Sequence, residues 1–354
     1  MKKKIAILPI ILTMFLGTLA QSQGADYKRW FTTSDAECPE GTLEDMINDR
    51  CVKESKIPET SPPSDLEMGR KGLSAFKTGN YTAALRVWKP LADKGYSKSQ
   101  NSIGVMYYYG FGVPKNYRTA AKWFTRAAKQ DHKIAQHFLA TLYDRGRGIP
   151  KSTDFALKLY LLSANNGYAK AQSMLGRIYY EGKIVPKDYQ AAVKWWERAA
   201  LQGDATAQNG LGLMYMKGIG VTKNPSAGFN LFSQSAHDGH VEAQFNLAIS
   251  YQFGDGVTQN DQKALKWFGL AAQQGHPKAQ YQLAVFYGFG RGVPQDKIHG
   301  YIWARASAVN GFNRAEKLSR SLEKTMMPVQ LNRAKTLSEI CIKKKFKACY
   351  PTSI

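Results

Sequence analysis

The clearest absence in this 354-residue chain is cysteine in its long middle section, since none occurs between residues 52 and 340. Acidic residues are also scarce: 27 Asp and Glu stand against 49 Lys and Arg, and the formal net charge is +22. Beyond residue 20 there is no run of ~20 apolar residues, the length that a membrane-spanning helix needs. We therefore expect the main part of the chain to be soluble and to favour acidic partners.

The first 20 residues have the pattern of a secretory signal peptide. Three lysines at positions 2–4 precede an apolar run from Ile5 to Leu19, and Ala20 ends a cleavage-like site. The run is short for a membrane span, which favours cleavage over an uncleaved anchor. The sequence therefore predicts a periplasmic or secreted protein. Because an exported protein seldom meets nucleic acid, we expect nucleic acid least among the possible acidic partners.

Four cysteines lie near the two ends of the chain, Cys38 with Cys51 and Cys341 with Cys349. In an exported chain an even number suggests disulfides between local pairs, although four cysteines permit three connectivities and free thiols stay open. A continuous helix would separate Cys341 from Cys349 by ~12 Å, and a bridge needs Cα atoms within about 7 Å. If that pair is bonded, the last helix must end before Cys349.

A set of residues recurs every 36 positions through the middle of the chain. Each copy has a small residue, a glutamine, a tyrosine seven residues later and a glycine three residues after that. The glutamines are Gln100, Gln136, Gln172, Gln208, Gln244 and Gln280. A fixed period of this length indicates an array of stacked structural repeats.

One repeat has the pattern of a helical hairpin. Apolar residues on one helical face are followed by a Gly/Pro-rich stretch, residues 110–114, and then by a second helical pattern from about Tyr117 to Lys129. Alanines in the second helix accompany aromatic residues, which we expect to pack between hairpins rather than bind a ligand. These are Trp123, Phe124, Trp195, Trp196, Trp267 and Phe268. The predicted fold is all-α, a solenoid of stacked helical hairpins.

The period divides the chain into five parts. Residues 1–20 are the expected signal peptide, and residues 21–64 hold two cysteines and a proline-rich linker. Residues 65–95 form an expected capping hairpin, and six repeats of 36 residues occupy 96–311. Residues 312–354 provide further capping helices and a lysine-rich tail. Terminal units that differ from the middle are typical of repeat arrays, because they shield the exposed ends.

The repeated pattern resembles the Sel-one-like repeat (SLR) family, most clearly in the copy from Ala207 to Val221. The resemblance covers residues 96–311, and the hairpin at 65–95 is similar to a tetratricopeptide unit. It implies a right-handed α/α superhelix that acts as a non-catalytic adaptor for proteins or peptides in envelope assembly or host contact. It names no partner and implies no cofactor.

Two alternatives to a protein-binding adaptor stay open. A cysteine-rich branch of the family is associated with β-lactam binding or hydrolysis, which would make the chain an enzyme of cell-wall or β-lactam metabolism. This chain departs from that branch because its repeats lack cysteine, so we expect no enzyme. The other alternative is a basic binder of an anionic envelope polymer or a membrane surface, favoured by the net charge.

Three histidines, His132, His240 and His276, occupy the same position in different repeats, at the start of the first helix. Equivalent positions in neighbouring repeats lie at least one helix diameter apart, roughly 10 Å. A metal ion needs its ligands at about 2.0–2.1 Å. We therefore expect no metal site.

The first helices are expected to line the concave face, as the resemblance to other solenoids implies. At 100° per residue, core positions 99, 103 and 107 leave positions 101, 105 and 108 of each repeat facing a partner. The candidate partner-binding residues are Asn101, Tyr108, His137, Asp144, Arg177, Tyr180, Asn209, Phe245, Ile249 and Tyr281. The apolar members late in the array either anchor a partner or pack on the C-terminal helices.

Overall fold

The computed structural model describes residues 63–347 and Cys349. This part of the chain contains sixteen helices and no strand, and it packs into two compact units that meet in sequence between Ser163 and Ala164. The fold is an all-α helical solenoid, as the repeat period predicts. No helix in the described part is both long and apolar enough to cross a membrane.

Unit 1 contains a capping hairpin, the first repeat and most of the second. Its helices are α1 (Pro63–Lys77), α2 (Tyr81–Asp93), α3 (Ser97–Tyr109), α4 (Tyr117–Ala128), α5 (Lys133–Arg145) and α6 (Thr153–Asn165), the last of which extends past the division. In the capping hairpin, Trp88 of α2 is buried, lies against Gly72 of α1 and donates a hydrogen bond to the carbonyl oxygen of Gly69 at 3.4 Å.

Unit 2 contains four repeats and a terminal helix pair. Its helices are α7 (Ala169–Glu181), α8 (Tyr189–Ala200), α9 (Ala205–Lys217), α10 (Pro225–His237), α11 (Val241–Phe253), α12 (Asp261–Gln273), α13 (Pro277–Phe289), α14 (Lys297–Val309), α15 (Asn313–Glu323) and α16 (Pro328–Lys343). Within the unit each helix packs on the next helix in sequence as far as α15, and α16 packs back on α14.

Each first helix ends at a glycine in the left-handed conformation, with φ between 60° and 83° across the six repeats. An L-residue pays a steric cost in that conformation, which explains why glycine recurs there. Seven residues after the last residue of the first helix, asparagine or aspartate usually begins the second helix by accepting a hydrogen bond at its side-chain oxygen, as Asn260 does from the Lys263 amide at 2.8 Å. The sequence thus fixes both ends of every loop.

The loop between the two helices lies on the second helix of the preceding repeat. A Cβ on Gly256 would collide with the carbonyl oxygen of Pro225, and one on Gly220 would come within 2.7 Å of the carbonyl oxygen of Tyr189. The second glycine of the loop therefore permits the close approach of neighbouring hairpins. Ile184 replaces it in the third repeat and has no positive φ, so that loop follows a different backbone path.

Aromatic side chains of the second helix pack on small residues of the first. A Cβ on Gly176 would come within 2.5 Å of the Trp196 ring, and one on Gly212 within 2.7 Å of Phe232. The second member of each aromatic pair is the more deeply buried: Trp196 is 6% exposed, whereas Trp195 is half-buried. Core packing of these rings is therefore confirmed, with most burial at the second position.

The recurring glutamines are buried hydrogen-bonding groups. Gln280 is fully buried; its Nε2 donates to the carbonyl oxygen of Ala272 at 3.0 Å and its Oε1 accepts from Asn310 Nδ2 at 2.9 Å. Asn310 also donates to the carbonyl oxygen of Gly275 at 3.2 Å. The same arrangement recurs around Gln100 and Gln244. Each of these three glutamines thus joins the end of the preceding repeat to the end of its own.

The C-terminal segment closes against unit 2 through a disulfide. Helix α16 ends at Lys343, positive φ angles at Lys345 and Phe346 reverse the chain, and Cys349 bonds to Cys341 with Cα atoms 4.8 Å apart. Both cysteines are buried in the hydrophobic cluster of the last two repeats. The predicted Cys341–Cys349 pair and the helix end before Cys349 are confirmed. Cys38 and Cys51 lie outside the described residues.

Candidate functional site

The exposed face of the first helices is displaced from its predicted position. Tyr108 was expected to face a partner, but it is only 9% exposed and packs against Tyr117, Phe124 and Phe138 at ring distances of 5.2–6.3 Å. Its neighbour Tyr109 is 51% exposed. The prediction for Tyr108 is therefore wrong, because the first helix packs against its own second helix as well as against neighbouring first helices.

The observed exposed face contains positions 102, 105 and 109 of each repeat, which we call the first-helix surface. At 100° per residue its centre lies roughly 60° around the helix from the predicted centre. In unit 2 its accessible members vary from repeat to repeat. They are Met174, Arg177, Glu181, Leu213, Lys217, Asn246, Ile249, Phe253, Gln282, Val285 and Phe289.

Two predicted asparagines lie at the border of this surface, half-buried. Asn101 has a buried Oδ1 with no hydrogen-bond partner. Asn209 accepts a 2.9 Å hydrogen bond from Asn246 Nδ2 on the next first helix of unit 2. The Asn209–Asn246 pair therefore links α9 to α11 through side-chain amides. Such amides can also form hydrogen bonds with the backbone of a bound peptide.

The other predicted residues of unit 1 are half-buried in the second repeat. His137 lies 5.5 Å from the Tyr160 ring, centre to centre, and Asp144 stands in the last turn of α5. Both residues therefore lie on α5, the first helix of the second repeat.

Arg177 and Tyr180 lie at the start of unit 2. Arg177 is exposed, forms a 3.3 Å ion pair with Glu181 one turn along α7, and places Nη2 2.8 Å from the Met174 sulfur. Tyr180 is half-buried, with its ring centre 5.6 Å from that of Trp196. Arg177 is thus an accessible cation on the first-helix surface, and Tyr180 contributes mainly to packing.

Phe245 and Tyr281 are half-buried with an aromatic ring against each of them. Phe245 stacks on His276 with ring centres 4.6 Å apart, and Tyr281 meets Phe312 edge-on at 5.0 Å. Phe312 directly precedes α15, so Tyr281 contacts the C-terminal region. Both residues therefore have packing roles and keep part of their surface accessible.

A row of aliphatic side chains crosses three consecutive first helices of unit 2. Leu213, Ile249 and Val285 occupy the same repeat position on α9, α11 and α13, and all three are partly exposed. Arg177 has this position on α7. All four residues stand at the repeat position of residue 105, which the helical period predicted to face a partner.

The three histidines that share a repeat position cap the first helices of their repeats. Nδ1 of His132, His240 and His276 accepts a hydrogen bond from the backbone amide three residues later, at 3.0–3.3 Å. Asp204 caps α9 at the same repeat position through its carboxylate, at 2.9 Å. Acceptance at Nδ1 requires the neutral imidazole, and burial lowers the pKa of both His132 and His240. In the described residues no three His, Cys, Asp or Glu side chains gather into a metal-binding group.

The repeats match a known family throughout. The sequence model of the Sel1 repeat matches residues 97–132, 133–168, 169–204, 205–240, 241–276 and 277–311. The chain belongs to the Sel1 repeat family. Sel1 repeat scaffolds usually mediate protein interactions and are generally non-catalytic.

Solved structures agree with this assignment. A Sel1 repeat protein from Oxalobacter formigenes is 31% identical, with a TM-score of 0.62 over 68% of this chain and 96% of its own. A protective antigen of uropathogenic Escherichia coli strains, which displays an SLR fold, is 28% identical with a TM-score of 0.65. That alignment covers 78% of this chain and 61% of the antigen.

Two curated relatives match a short segment of this chain. DAP3-binding cell death enhancer 1 of Rattus norvegicus and of Mus musculus is 42% identical over 45 residues, which is 13% of this chain and 9% of each relative. This chain therefore matches less than a tenth of the length of those relatives. The similarity extends over little more than one Sel1 repeat.

Proposed function

We propose that this Sel1 repeat protein is an exported, non-catalytic scaffold that binds a protein or peptide partner on its first-helix surface. The observation that supports this most is the row of Arg177, Leu213, Ile249 and Val285 on successive first helices of unit 2. Packing positions keep the same residue types from repeat to repeat, whereas this row changes from charged to aliphatic. Variation confined to an exposed face is what a specific binding surface needs.

The spacing of the row suits an extended polypeptide. Neighbouring packed helices are ~8–10 Å apart, and three residues of extended chain cover about 10 Å. A peptide that crosses the first helices can therefore place one apolar side chain on each of Leu213, Ile249 and Val285. The Asn209–Asn246 pair beside them offers amide groups to its backbone.

The charge of the surface favours an acidic partner. Arg177 and Lys217 are exposed on α7 and α9, next to the aliphatic row. Carboxylates of a partner would pair with these cations, while the aliphatic side chains bury its apolar residues. We infer that the partner is a segment with apolar residues flanked by acidic ones.

Export is supported by two features of the chain. The N-terminal lysines and apolar run have the signal-peptide pattern, and the Cys341–Cys349 disulfide is of the kind that persists in oxidising compartments. The similarity to a protective antigen of uropathogenic Escherichia coli is consistent with a role in the envelope or in contact with a host. We place the protein in the periplasm or outside the cell.

A selected peptide tests the binding surface. Peptides selected from a displayed random library on the full chain are synthesised with a fluorophore, and their affinity is measured by anisotropy. Ile249→Lys should weaken binding at least tenfold, because it places a charge in the aliphatic row. Leu270→Lys is the matched control, since Leu270 is partly exposed, at 37%, on the second helix α12. Equal affinities for both variants would refute the proposed surface.

A further inference from the structure

Four large apolar side chains of unit 2 are more than 60% exposed and stand at the same edge of the repeats. Phe253 is 61% exposed, Phe289 62%, Met327 66% and Val329 80%. Phe253 and Phe289 end the first helices α11 and α13, and Met327 and Val329 begin α16. The one other described residue of unit 2 in this exposure class, Leu201, lies at the opposite edge, in the turn after α8.

Hydrogen bonds and an ion pair make this edge continuous from one repeat to the next. Arg291, in the loop after Phe289, donates to the carbonyl oxygen of Gln252 at 3.4 Å and forms a 3.0 Å ion pair with Asp261. Lys297, at the start of α14, donates to the carbonyl oxygen of Thr325 at 3.2 Å. The loops 182–188 and 218–224 continue the same edge, because Gly220 approaches Tyr189 and Gly256 approaches Pro225 at the starts of the preceding second helices. We call the five loops 182–188, 218–224, 254–260, 290–296 and 324–327 the loop edge.

The loop edge is also basic. Exposed lysines follow it through the repeats of unit 2 and outnumber the exposed carboxylates there, Asp188 and Asp255. These lysines are Lys183, Lys187, Lys217, Lys223, Lys263 and Lys324. The lysines are most frequent beside the third and fourth repeats, and the exposed apolar residues lie beside the last two and the terminal helices.

We propose that the loop edge of unit 2 docks this protein on an anionic phospholipid bilayer. The four apolar side chains enter the boundary between headgroups and acyl chains, and the lysines lie against the anionic headgroups. Stable attachment of a peripheral protein needs two such contributions, because a single hydrophobic anchor or a single basic patch binds reversibly and weakly.

A bilayer suits this surface better than a folded protein or a charged polymer. The apolar side chains stand at three separate helix ends, and a fluid interface adapts to such separated projections. A charged polymer would pair with the lysines but would leave Phe253, Phe289, Met327 and Val329 in water. The loop edge shares Phe253, Phe289 and Lys217 with the first-helix surface but contains no residue of the aliphatic row, so different variants test docking and peptide binding.

Vesicle sedimentation with the full chain tests the docking. The protein is mixed with vesicles of phosphatidylcholine containing about 30% phosphatidylglycerol, or of phosphatidylcholine alone, at low and high salt. We expect binding to the anionic vesicles that weakens at high salt. Phe253→Ser with Phe289→Ser should lower the partition coefficient at least tenfold, and Met327→Ser with Val329→Ser should lower it similarly. Circular dichroism checks that each variant is folded.

The matched control is Leu201→Ser, which removes an apolar side chain that is 89% exposed at the opposite edge. It should bind like the unaltered chain. Amide hydrogen exchange of the unaltered chain locates the contact. Anionic vesicles should slow exchange in loops 254–260 and 290–296 but not in the turn at 201–204. Equal binding to neutral and anionic vesicles would overturn the proposal. So would unchanged binding of both apolar double variants, or loop exchange that vesicles leave unaltered.

Discussion

At the scale of single residues, the buried glutamines show why the most regular residue of the sequence belongs to the scaffold. Gln280 satisfies the carbonyl oxygen of Ala272 and the side chain of Asn310 without contact with water. Nonpolar replacement would remove one hydrogen bond from each group and leave each with one, since the Ala272 carbonyl oxygen also accepts from the Gly275 amide and Asn310 also donates to the Gly275 carbonyl oxygen. The sequence revealed the period of these glutamines, but it gave no sign of the hydrogen bonds, which join residues 8 positions before and 30 positions after Gln280.

Replacing Gln280 should therefore destabilise the fold. A hydrogen bond contributes about 0.5–1.5 kcal/mol net, and Gln280→Leu removes two of them, so we expect a loss of about 1–3 kcal/mol. Urea unfolding followed by circular dichroism measures it. The control is Gln262→Leu, an exposed glutamine of α12, which should change stability by less than about 0.5 kcal/mol. Similar losses for the two variants would contradict the structural role of Gln280.

The histidine caps predict how stability depends on pH. Burial lowers the pKa of His132 and His240 in the folded chain, below the value of about 6.5 for an unfolded histidine. The unfolded state then binds more protons between the two pKa values. The stabilisation by these caps is fully present above about pH 6.5 and is lost as pH falls through that value towards the lowered pKa.

Melting temperatures at pH 7.5 and pH 5.5 measure this dependence. The chain should melt at a lower temperature at pH 5.5, and the double variant His132→Asn with His240→Asn should lose less. Asparagine caps a helix without titrating. Asp204 shows that a side-chain oxygen serves as the cap acceptor at the equivalent position. If the two proteins lose the same number of degrees, protonation of these caps does not contribute to the pH dependence.

At the scale of the helices and their connections, the turn before α5 is the one repeat end that lacks glycine. Asp131 has φ 58° there, whereas Gly203 and Gly239 have 81° and 83° at equivalent positions. A left-handed conformation costs a residue with a side chain about 1 kcal/mol. The replacement of glycine by Asp131 was visible in the sequence, but only the φ angle shows that the left-handed conformation is kept.

Asp131→Gly should therefore stabilise unit 1 by about 0.5–1 kcal/mol. The opposite exchange, Gly239→Asp, should destabilise unit 2 by about 1 kcal/mol, and no atom lies within 4 Å of a Cβ built on Gly239, so a clash does not enter. Thermal unfolding of the two variants beside the unaltered chain gives both values. Destabilisation by Asp131→Gly would show that the aspartate side chain matters more than the backbone strain.

The C-terminal disulfide stabilises the terminal helix pair by closing a loop. Cys341 and Cys349 are eight residues apart in sequence, and constraining a loop of that size in the unfolded chain contributes about 2–3 kcal/mol. Cys341→Ala with Cys349→Ala should lower the melting temperature, and dithiothreitol should lower that of the unaltered chain but not of the variant. A reductant effect of equal size on both proteins would mean that this bond is not its target.

At the scale of the whole molecule, periodicity predicted the hairpins, their loops and the aromatic packing, because each of these depends on residues close in sequence. The face of the first helix was predicted less well. Tyr108 and Tyr109 are adjacent and chemically identical, yet their exposures are 9% and 51%. Which of them meets the solvent depends on how far the second helix and the next repeat cover the first helix, and that is a tertiary property.

The candidate site likewise combines residues that the sequence predicts with contacts that depend on tertiary packing. Arg177, Leu213, Ile249 and Val285 came directly from the helical period, which placed them at the same position of their repeats. The Asn209–Asn246 hydrogen bond joins residues 37 positions apart, so it depends on the register between repeats. Likewise, the loop edge combines side chains from α11, α13 and α16, which only the packing of unit 2 brings to one side.

The first-helix surface of unit 2 is the proposed site of partner binding. A photoreactive form of the selected peptide, cross-linked to the full chain and mapped by mass spectrometry, tests it most directly. We predict cross-links in α7, α9, α11 and α13, spaced by about one repeat. Cross-links confined to the second helices α8, α10, α12 and α14 would contradict it.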